Sequence, residues 1–521
     1  MESLTGASGG LAVRVAFACA SAILLGLWLW RSGREGRESR LGRGLRITAL
    51  ALCGFWAATW LAIALVRLPY PYELEWCGGA MRDMAARTLH GQPLYVAPGP
   101  GWFPYEYPPL YLWASALLMK LFGGAVSFVP MRLISILSTL GSASLLVWWV
   151  RRLSGSRTWG LIATGLFLAS FRFTGAWYDV ERLDMLFLVL SLAGVCALQL
   201  AVEKDSVGWA VLAAAAHTFA FLTKQQAVLF VIGGVAALLW QRRWRLATAY
   251  GLATTILCAA SVLALNSSTG GWFWYYCFRV PMANGIRANL ARMYLTTDLP
   301  LFAPMIVLLA VGLLRRGEDR RLREDALLWC SVGMGLLGSF LSRAHWGGDQ
   351  NVLMTGYVLI GTGACVVAGR WSRVRPRAAA PLFGLVVAQL IALSYRPGAQ
   401  LPQAENRAAG DRYATLIRSL EREGPVLSLD HGAFTSTPRF HLMGLLDVAH
   451  TEKGLPKPLL EALRSHEYAA VVMDAKPETV GEMGEFARDY TRIENVGITE
   501  SWVVTGFPTP SEGRSVWVLR P

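Results

Sequence analysis

The stretch YPYELEWCGGAMRDMAARTLHGQPLYVAPGPGWFPYEYPPLY, Tyr70–Tyr111, interrupts an otherwise apolar chain. It follows the apolar run Ala49–Val66 and carries Glu73, Glu75, Asp83 and Glu106 in one connection. Nothing else in the hydrophobic part of the chain concentrates acids in this way. It reads as the heart of an external loop, 67–130, on a multi-span helical membrane protein. Within it Met81, Met84, Ala85 and Leu89 share one face at helical spacing, while Arg82, Asp83 and Arg87 face elsewhere. That pattern predicts an amphipathic helix on the membrane surface. Leu110–Phe122 begins after Pro108-Pro109, holds Lys120 and ends at Gly123-Gly124, and reads as a second helix lying in the interface.

Composition agrees with this reading. Of 521 residues, 54% are hydrophobic and 16% charged, against about 25% charged in soluble domains. Mean hydropathy is +0.39. The formal charge of +14 does not point to nucleic acid. The arginines sit in short loops between apolar runs, which is the positive-inside pattern. The 21 tryptophans suit aromatic belts at two interfaces. Of the eight cysteines, Cys77 and Cys277 fall in loops placed outside, where an oxidising compartment would allow them to pair. The others lie in apolar runs as small hydrophobes. No Cys/His spacing suggests zinc.

Apolar runs recur from Leu11 to Leu393 and predict about twelve spans. Leu11–Trp30 is followed, not preceded, by Arg31, Arg34, Arg37, Arg40, Arg43 and Arg46, so the N-terminus is expected outside. Arg151, Arg152, Arg157, Arg242, Arg243, Arg245, the 315–325 loop and the arginines of 370–377 then mark the inner face. Gly208–Thr223 and Ala227–Trp240 are short, either thin spans or a re-entrant pair. The outer face receives 67–130, 177–184, Lys224, the aromatic loop 266–299 and 343–351. A plasma-membrane location is expected, with the acidic loop outside.

After Tyr395 the composition changes, and acids outnumber bases 17 to 14 over 396–521. Asn406–Glu423 has helical periodicity. Residues 425–430 and 468–474 read as buried strands, and 501–507 with 515–520 as a hairpin. The expected organisation is a helical membrane domain, 1–395, and a small α/β extracytoplasmic domain, 396–521, without a nucleotide fingerprint.

Candidate chemistry falls in four clusters on the outer face. Glu73 and Glu75 stand at the outer end of a span beside Gly78-Gly79. A carboxylate at that boundary can reach a lipid headgroup and an aqueous acceptor, and partial desolvation makes it a better base. WYDVERLD places Asp179, Arg182 and Asp184 at a span mouth, where charges face a cavity or pair with one another, an Arg182–Asp179 pair being the structural alternative. Lys224, followed by Gln225, would hold a phosphate as a point charge or snorkel to the headgroups. His345, Asp349 and Asn351 gather polar groups around Gly347-Gly348, more than a simple turn requires. Four clusters on one face suggest a reaction at the outer leaflet with a lipid-borne substrate.

Glu-x-Glu (73–75), LxGQPLY (89–95), YxYPPLY (105–111), Arg182-x-Asp184 at a span mouth, TKQ (223–225) and HxGGxxN (345–351) together resemble the type C (GT-C) glycosyltransferases. Nearest are the bacterial relatives of protein mannosyltransferases and aminoarabinose transferases, and the resemblance spans roughly residues 47–369. It implies a GT-C fold and a hexosyl- or pentosyltransferase acting in cell-envelope glycan or glycolipid assembly. The donor would be a polyprenyl-phosphate sugar and the acceptor a hydroxyl on a glycan, glycolipid or protein. It also implies a catalytic acid at Glu75 or Glu73. Substrate-binding roles would fall to Asp83, Tyr105, Tyr107, Asp179, Arg182, Asp184, Lys224, Gln225, His345, Asp349 and Asn351. Some relatives use a divalent cation; no metal ligand is assigned here. The chain has Glu-Leu-Glu where the family often has Asp-Glu. A transporter or flippase would instead bury acids at mid-span and show repeat halves, and a third reading is a non-catalytic envelope-assembly scaffold.

Overall fold

Helix ends in this chain are set by capping chemistry as much as by hydropathy. The computed structural model describes residues 38–75, 77–100, 102–314, 323–429, 442–473, 489–495 and 515–519, and part of 16–23. Most of the expected first span, the start of the 31–46 loop, most of the 315–325 loop, Trp76 and the 501–507 strand lie outside the described residues. Helix α1 (Arg40–Arg67) starts where the Ser39 side chain accepts from the Gly42 N–H at 3.0 Å. At 28 residues it is about 42 Å long, enough to cross a hydrocarbon core of about 30 Å with some tilt.

Helices α2 (Gly78–Leu89) and α3 (Leu110–Leu121) follow in the acidic connection. Then come α4 (Val129–Ser154), α5 (Arg157–Ala169), α6 (Asp184–Lys204), α7 (Val207–Thr223), α8 (Val228–Trp240) and α9 (Trp244–Ser268). The bundle closes with α10 (Ala303–Leu314), α11 (Ala326–Ala344), α12 (Leu353–Val374) and α13 (Ala379–Ala392). Among the described residues seven helices are long and apolar enough to cross a membrane, or eight if the bent pair Pro376–Ala392 and Pro397–Glu423 is one span. The sequence reading differs at Trp159–Trp177, expected as one span. There α5 stops at Ala169, a 3-10 turn follows at Phe171–Thr174, and Gly175 takes φ 78°. That left-handed residue ends the 3-10 turn, and the chain goes on to Asp179–Asp184.

The bundle is packed around α12, whose apolar window is wholly buried inside the protein. Its outer helices keep large apolar side chains exposed, among them Leu137, Leu161, Ile232, Ile256 and Leu263. Such a girdle matches a lipid surface, where water-facing proteins would place charge. A helix is present over the predicted amphipathic stretch as α2, burying Met81, Met84 and Ala85. Another is present over Leu110–Leu121 as α3.

Beyond residue 395 the chain forms α14 (Ala404–Glu423), β1 (Val426–Leu429), α15 (Leu442–Glu452), α16 (Lys457–Arg464), β2 (Ala470–Met473), β3 (Tyr490–Asn495) and β4 (Ser515–Leu519). The sheet order is β1-β2-β4-β3, with β1 and β2 parallel and the other pairs antiparallel. Both edges of β4 are taken by β2 and β3; the other arm of the expected hairpin, 501–507, lies outside the described residues. This part shares its core with the loops beneath it. Leu427, Leu445, Val448, Leu459 and Tyr468 pack in one cluster with Tyr95, Phe103, Phe273, Tyr276 and Val280.

Candidate active site

Two guanidinium clamps fix the acidic loop before any site residue is reached. Arg67 and Arg132 are buried at the ends of α1 and α4. The Arg67 side chain pairs with Asp179 at 2.9 Å. Arg132 Nε meets Glu181 Oε2 at 2.6 Å, and its Nη atoms donate to the carbonyls of Arg67, Tyr70 and Tyr72. The other Glu181 oxygen accepts from the Leu74 N–H at 2.8 Å. Gly78 completes this corner. A Cβ there would sit 2.4 Å from Glu181 Oε1, so only glycine lets the start of α2 approach the clamp.

The clamped loop delivers Glu75 into a cavity of about 640 Å³ at one end of the bundle. Its wall is drawn from the acidic loop, the 171–183 connection, the α7–α8 break, the 277–284 segment and the 338–352 turn. Glu75 is only 1% exposed. One of its oxygens accepts from the Cys77 N–H at 2.8 Å and lies 3.7 Å from Arg182 Nη1. Burial pushes the Glu75 carboxyl well above the ordinary range, and the Arg182 charge pulls it part of the way back. Arg182 stands over the rings of Trp177, Tyr107 and Tyr105 at 4.8, 5.3 and 5.6 Å. Its Nη2 donates to Tyr107 Oη at 3.1 Å. Its Nε and Nη1 are buried without a hydrogen-bond acceptor, an arrangement suited to an incoming anion.

Lys224 ends α7, at the break before α8. Its Nζ pairs with Asp184 Oδ1 at 2.8 Å, and Asn351 Nδ2 donates to the same oxygen at 3.0 Å. Asp184 is thus a bracket behind the wall, holding a cation and an amide that face the cavity. Gln225 Nε2 ties the Glu106 carbonyl to that of Cys277 at 2.9 and 2.7 Å. On the opposite rim His345 Nε2 lies 2.9 Å from the Pro281 carbonyl. Arg343 holds the turn through Asp298, at 2.8 Å, and the Gly348 carbonyl, at 2.6 Å. A Cβ on Gly348 would fall 2.1 Å from the Ser342 carbonyl, so the tight turn requires glycine.

Residues 106–266 match the family model described as dolichyl-phosphate-mannose-protein mannosyltransferase. The undecaprenyl phosphate-alpha-4-amino-4-deoxy-L-arabinose arabinosyl transferase of Edwardsiella ictaluri (strain 93-146) is 25% identical over 455 residues, 70% of this chain and 82% of that protein. The crystal structure of ArnT from Cupriavidus metallidurans bound to undecaprenyl phosphate aligns with a TM-score of 0.58 at 15% identity, over 89% of this chain and 97% of that one. The same protein in the apo state aligns equally well. The chain is similar to the GT-C glycosyltransferases, in sequence over 106–266 and in fold over most of its length.

The cavity brings together Glu75, Tyr105, Tyr107, Arg182, Lys224, Gln225, His345, Asp349 and Asn351 from the sequence-derived set. Four others stand outside its wall. Glu73 is buried but does not line it. Asp83 lies on α2 against Arg82 at 3.5 Å. Asp179 pairs with Arg67 and not with Arg182, because the clamp on α1 reaches it first. Asp184 serves from behind. Lys224 is held by Asp184 and does not snorkel. Cys77 and Cys277 both line the cavity as free thiols, Cys77 lying 3.5 Å from Tyr105 Oη. Among the described residues no group of three or more His, Cys, Asp or Glu side chains is placed to hold a metal ion, so no step is routed through one. The sequence reading assigned no role to Glu106, Trp177, Asn284 or Asp447, all in the wall. Glu106 could have been found as the acid inside YEYPP; nothing local marks Asp447.

Proposed function

We propose that this chain is a GT-C glycosyltransferase that moves a hexose or pentose from a polyprenyl-phosphate donor to an acceptor hydroxyl at the extracytoplasmic face, with Glu75 as general base. The observation that supports it is one cavity holding a desolvated carboxyl, Glu75, beside a buried guanidinium with two unmatched N–H donors and a buried ammonium, Lys224. The acceptor oxygen attacks the anomeric carbon and its proton passes to Glu75. The bond from that carbon to the phosphate oxygen breaks, and polyprenyl phosphate leaves with the electron pair. Arg182 and Lys224 meet the charge that grows on the phosphate. The similarity of the chain to an undecaprenyl-phosphate arabinosyl transferase supports the donor class. The division into a catalytic part, 1–395, and a smaller outer part, 396–521, belongs to the same proposal.

The test is sugar transfer from radiolabelled polyprenyl-phosphate sugars by purified Glu75→Gln and Glu73→Gln variants, with Tm as the folding control. Glu75→Gln keeps shape and hydrogen bonding but cannot take the proton, and should lose about 10²–10⁴-fold in rate. Glu73→Gln should retain transfer, since Glu73 lies outside the cavity wall. Full activity of a folded Glu75→Gln protein would remove Glu75 from the chemistry.

A further inference from the structure

Among the described lining residues, Asp447 is the only one from beyond residue 395. It sits on α15, is 8% exposed, and is oriented by Asn284, whose Nδ2 donates to its Oδ1 at 2.8 Å. Its carboxyl shares the cavity wall with that of Glu106, and burial together with the Asp447 charge pushes the Glu106 carboxyl up. The Glu106 oxygen Oε1 is buried and accepts from no protein group.

The pair is built in from both sides. Gln225 fixes the Glu106 main chain. Helix α15 is pinned by Leu445 and Val448 in the shared core and by the Tyr275 hydroxyl on Glu452 at 2.8 Å. The same cavity therefore has a cationic region, where Nε and Nη1 of Arg182 lack hydrogen-bond acceptors, and an acidic wall with an unmatched acceptor. A ligand satisfying both carries an anionic group and hydroxyl donors in one molecule, as a sugar phosphate ester does.

We propose that Asp447, together with Glu106 and oriented by Asn284, forms a subsite accepting hydrogen bonds from sugar hydroxyls, so that the C-terminal domain takes part in substrate binding. This rests on the lipid-phosphate sugar reading above. The hydroxyls belong to the donor sugar or to a sugar acceptor, and the two are separable.

The experiment measures binding of bare undecaprenyl phosphate and of undecaprenyl-phosphate-linked hexose and pentose to the full-length protein in nanodiscs. Wild type, Asp447→Asn and Asn284→Ser are compared, with transfer kinetics alongside. For donor hydroxyls, Asp447→Asn should weaken the sugar-bearing lipids about tenfold, with bare lipid phosphate changed less than about twofold. For acceptor hydroxyls, both lipid affinities hold and the acceptor KM rises about tenfold while the donor KM stays. Asn284→Ser, which leaves both carboxyls in place, should give the same selective loss in smaller measure, and answers the question if Asp447→Asn fails to fold. Equal losses for bare and sugar-bearing lipid, or no change in binding and kinetics, would overturn the subsite. Failure of the wild type to bind undecaprenyl phosphate at all would sink the donor reading on which it stands.

Discussion

Arg182 has competing duties that its surroundings make measurable. It lies 3.7 Å from Glu75, stacks on three aromatic rings and keeps two N–H groups unmatched. Burial raises the Glu75 carboxyl more than Arg182 lowers it. A general base must be ionised, so transfer should fall as pH drops through this raised value, at a higher pH than an ordinary glutamate would give. Removing the cation removes the downward pull. Arg182→Gln should therefore move the acid limb of the pH–rate profile further up and lower kcat. Tyr107→Phe loses only the bond to Arg182 Nη2 and should leave that limb in place. A limb that stays put in Arg182→Gln would mean that the titrating group is not Glu75. Much of this was legible in the sequence, because a charge at a span mouth must find a partner or a ligand. What could not be read was that Arg182 meets Glu75 as well as its sequence neighbour Asp184, since Glu75 lies far away in the chain.

At the scale of elements the decisive connection is between α4 and the acidic loop. Arg132 lies second in a run, Met131–Val150, read only as an apolar span; nothing beside it in sequence shows that it reaches the carbonyls of Arg67, Tyr70 and Tyr72 and the Glu181 carboxylate. Both side chains of the Arg132–Glu181 pair are wholly buried. Arg132→Met strands a buried carboxylate and three carbonyls, and should cost about 3–5 kcal/mol. Arg132→Met with Glu181→Met should cost clearly less than the two single changes summed, because no unpaired charge remains. Denaturation of the four proteins in one detergent gives the cycle, and additive losses would mean that the two side chains act independently. Helix positions were readable because apolar period and capping residues are local signals. The early stop of α5 was not, since Ser170 and Gly175, which end α5 and the 3-10 turn after it, look like any small residues inside an apolar run.

For the whole molecule, the cavity residues lie at one end of the bundle and Arg151, Arg152, Arg243, Arg245, Arg370 and Arg373 at the other. With the positive-inside rule this supports the proposal of an outward-facing cavity. An impermeant thiol reagent applied to intact cells should label a cysteine introduced at the exposed position Glu461 and spare one at exposed Arg245, in a background without native cysteines. The reverse pattern would put the cavity in the cytoplasm and end the extracytoplasmic reading. The bundle was readable as a whole because a bilayer imposes one length and one polarity on every span. The association of α15 with the 277–284 segment was not, because it depends on packing between distant parts of the chain.

The common core of Tyr95, Phe273, Tyr276 and Val280 with Leu445, Leu459 and Tyr468 has a consequence for inheritance. The portion after residue 395 cannot be exchanged between relatives like a bead on a string, because one of its two core clusters is built jointly with loops encoded far upstream. A chimera that keeps the native 95–103 and 272–283 loops under a foreign tail would meet mismatched side chains at every contact. The recombining unit is the tail together with those loops, and lineages that diverge in one should be found to have diverged in the other.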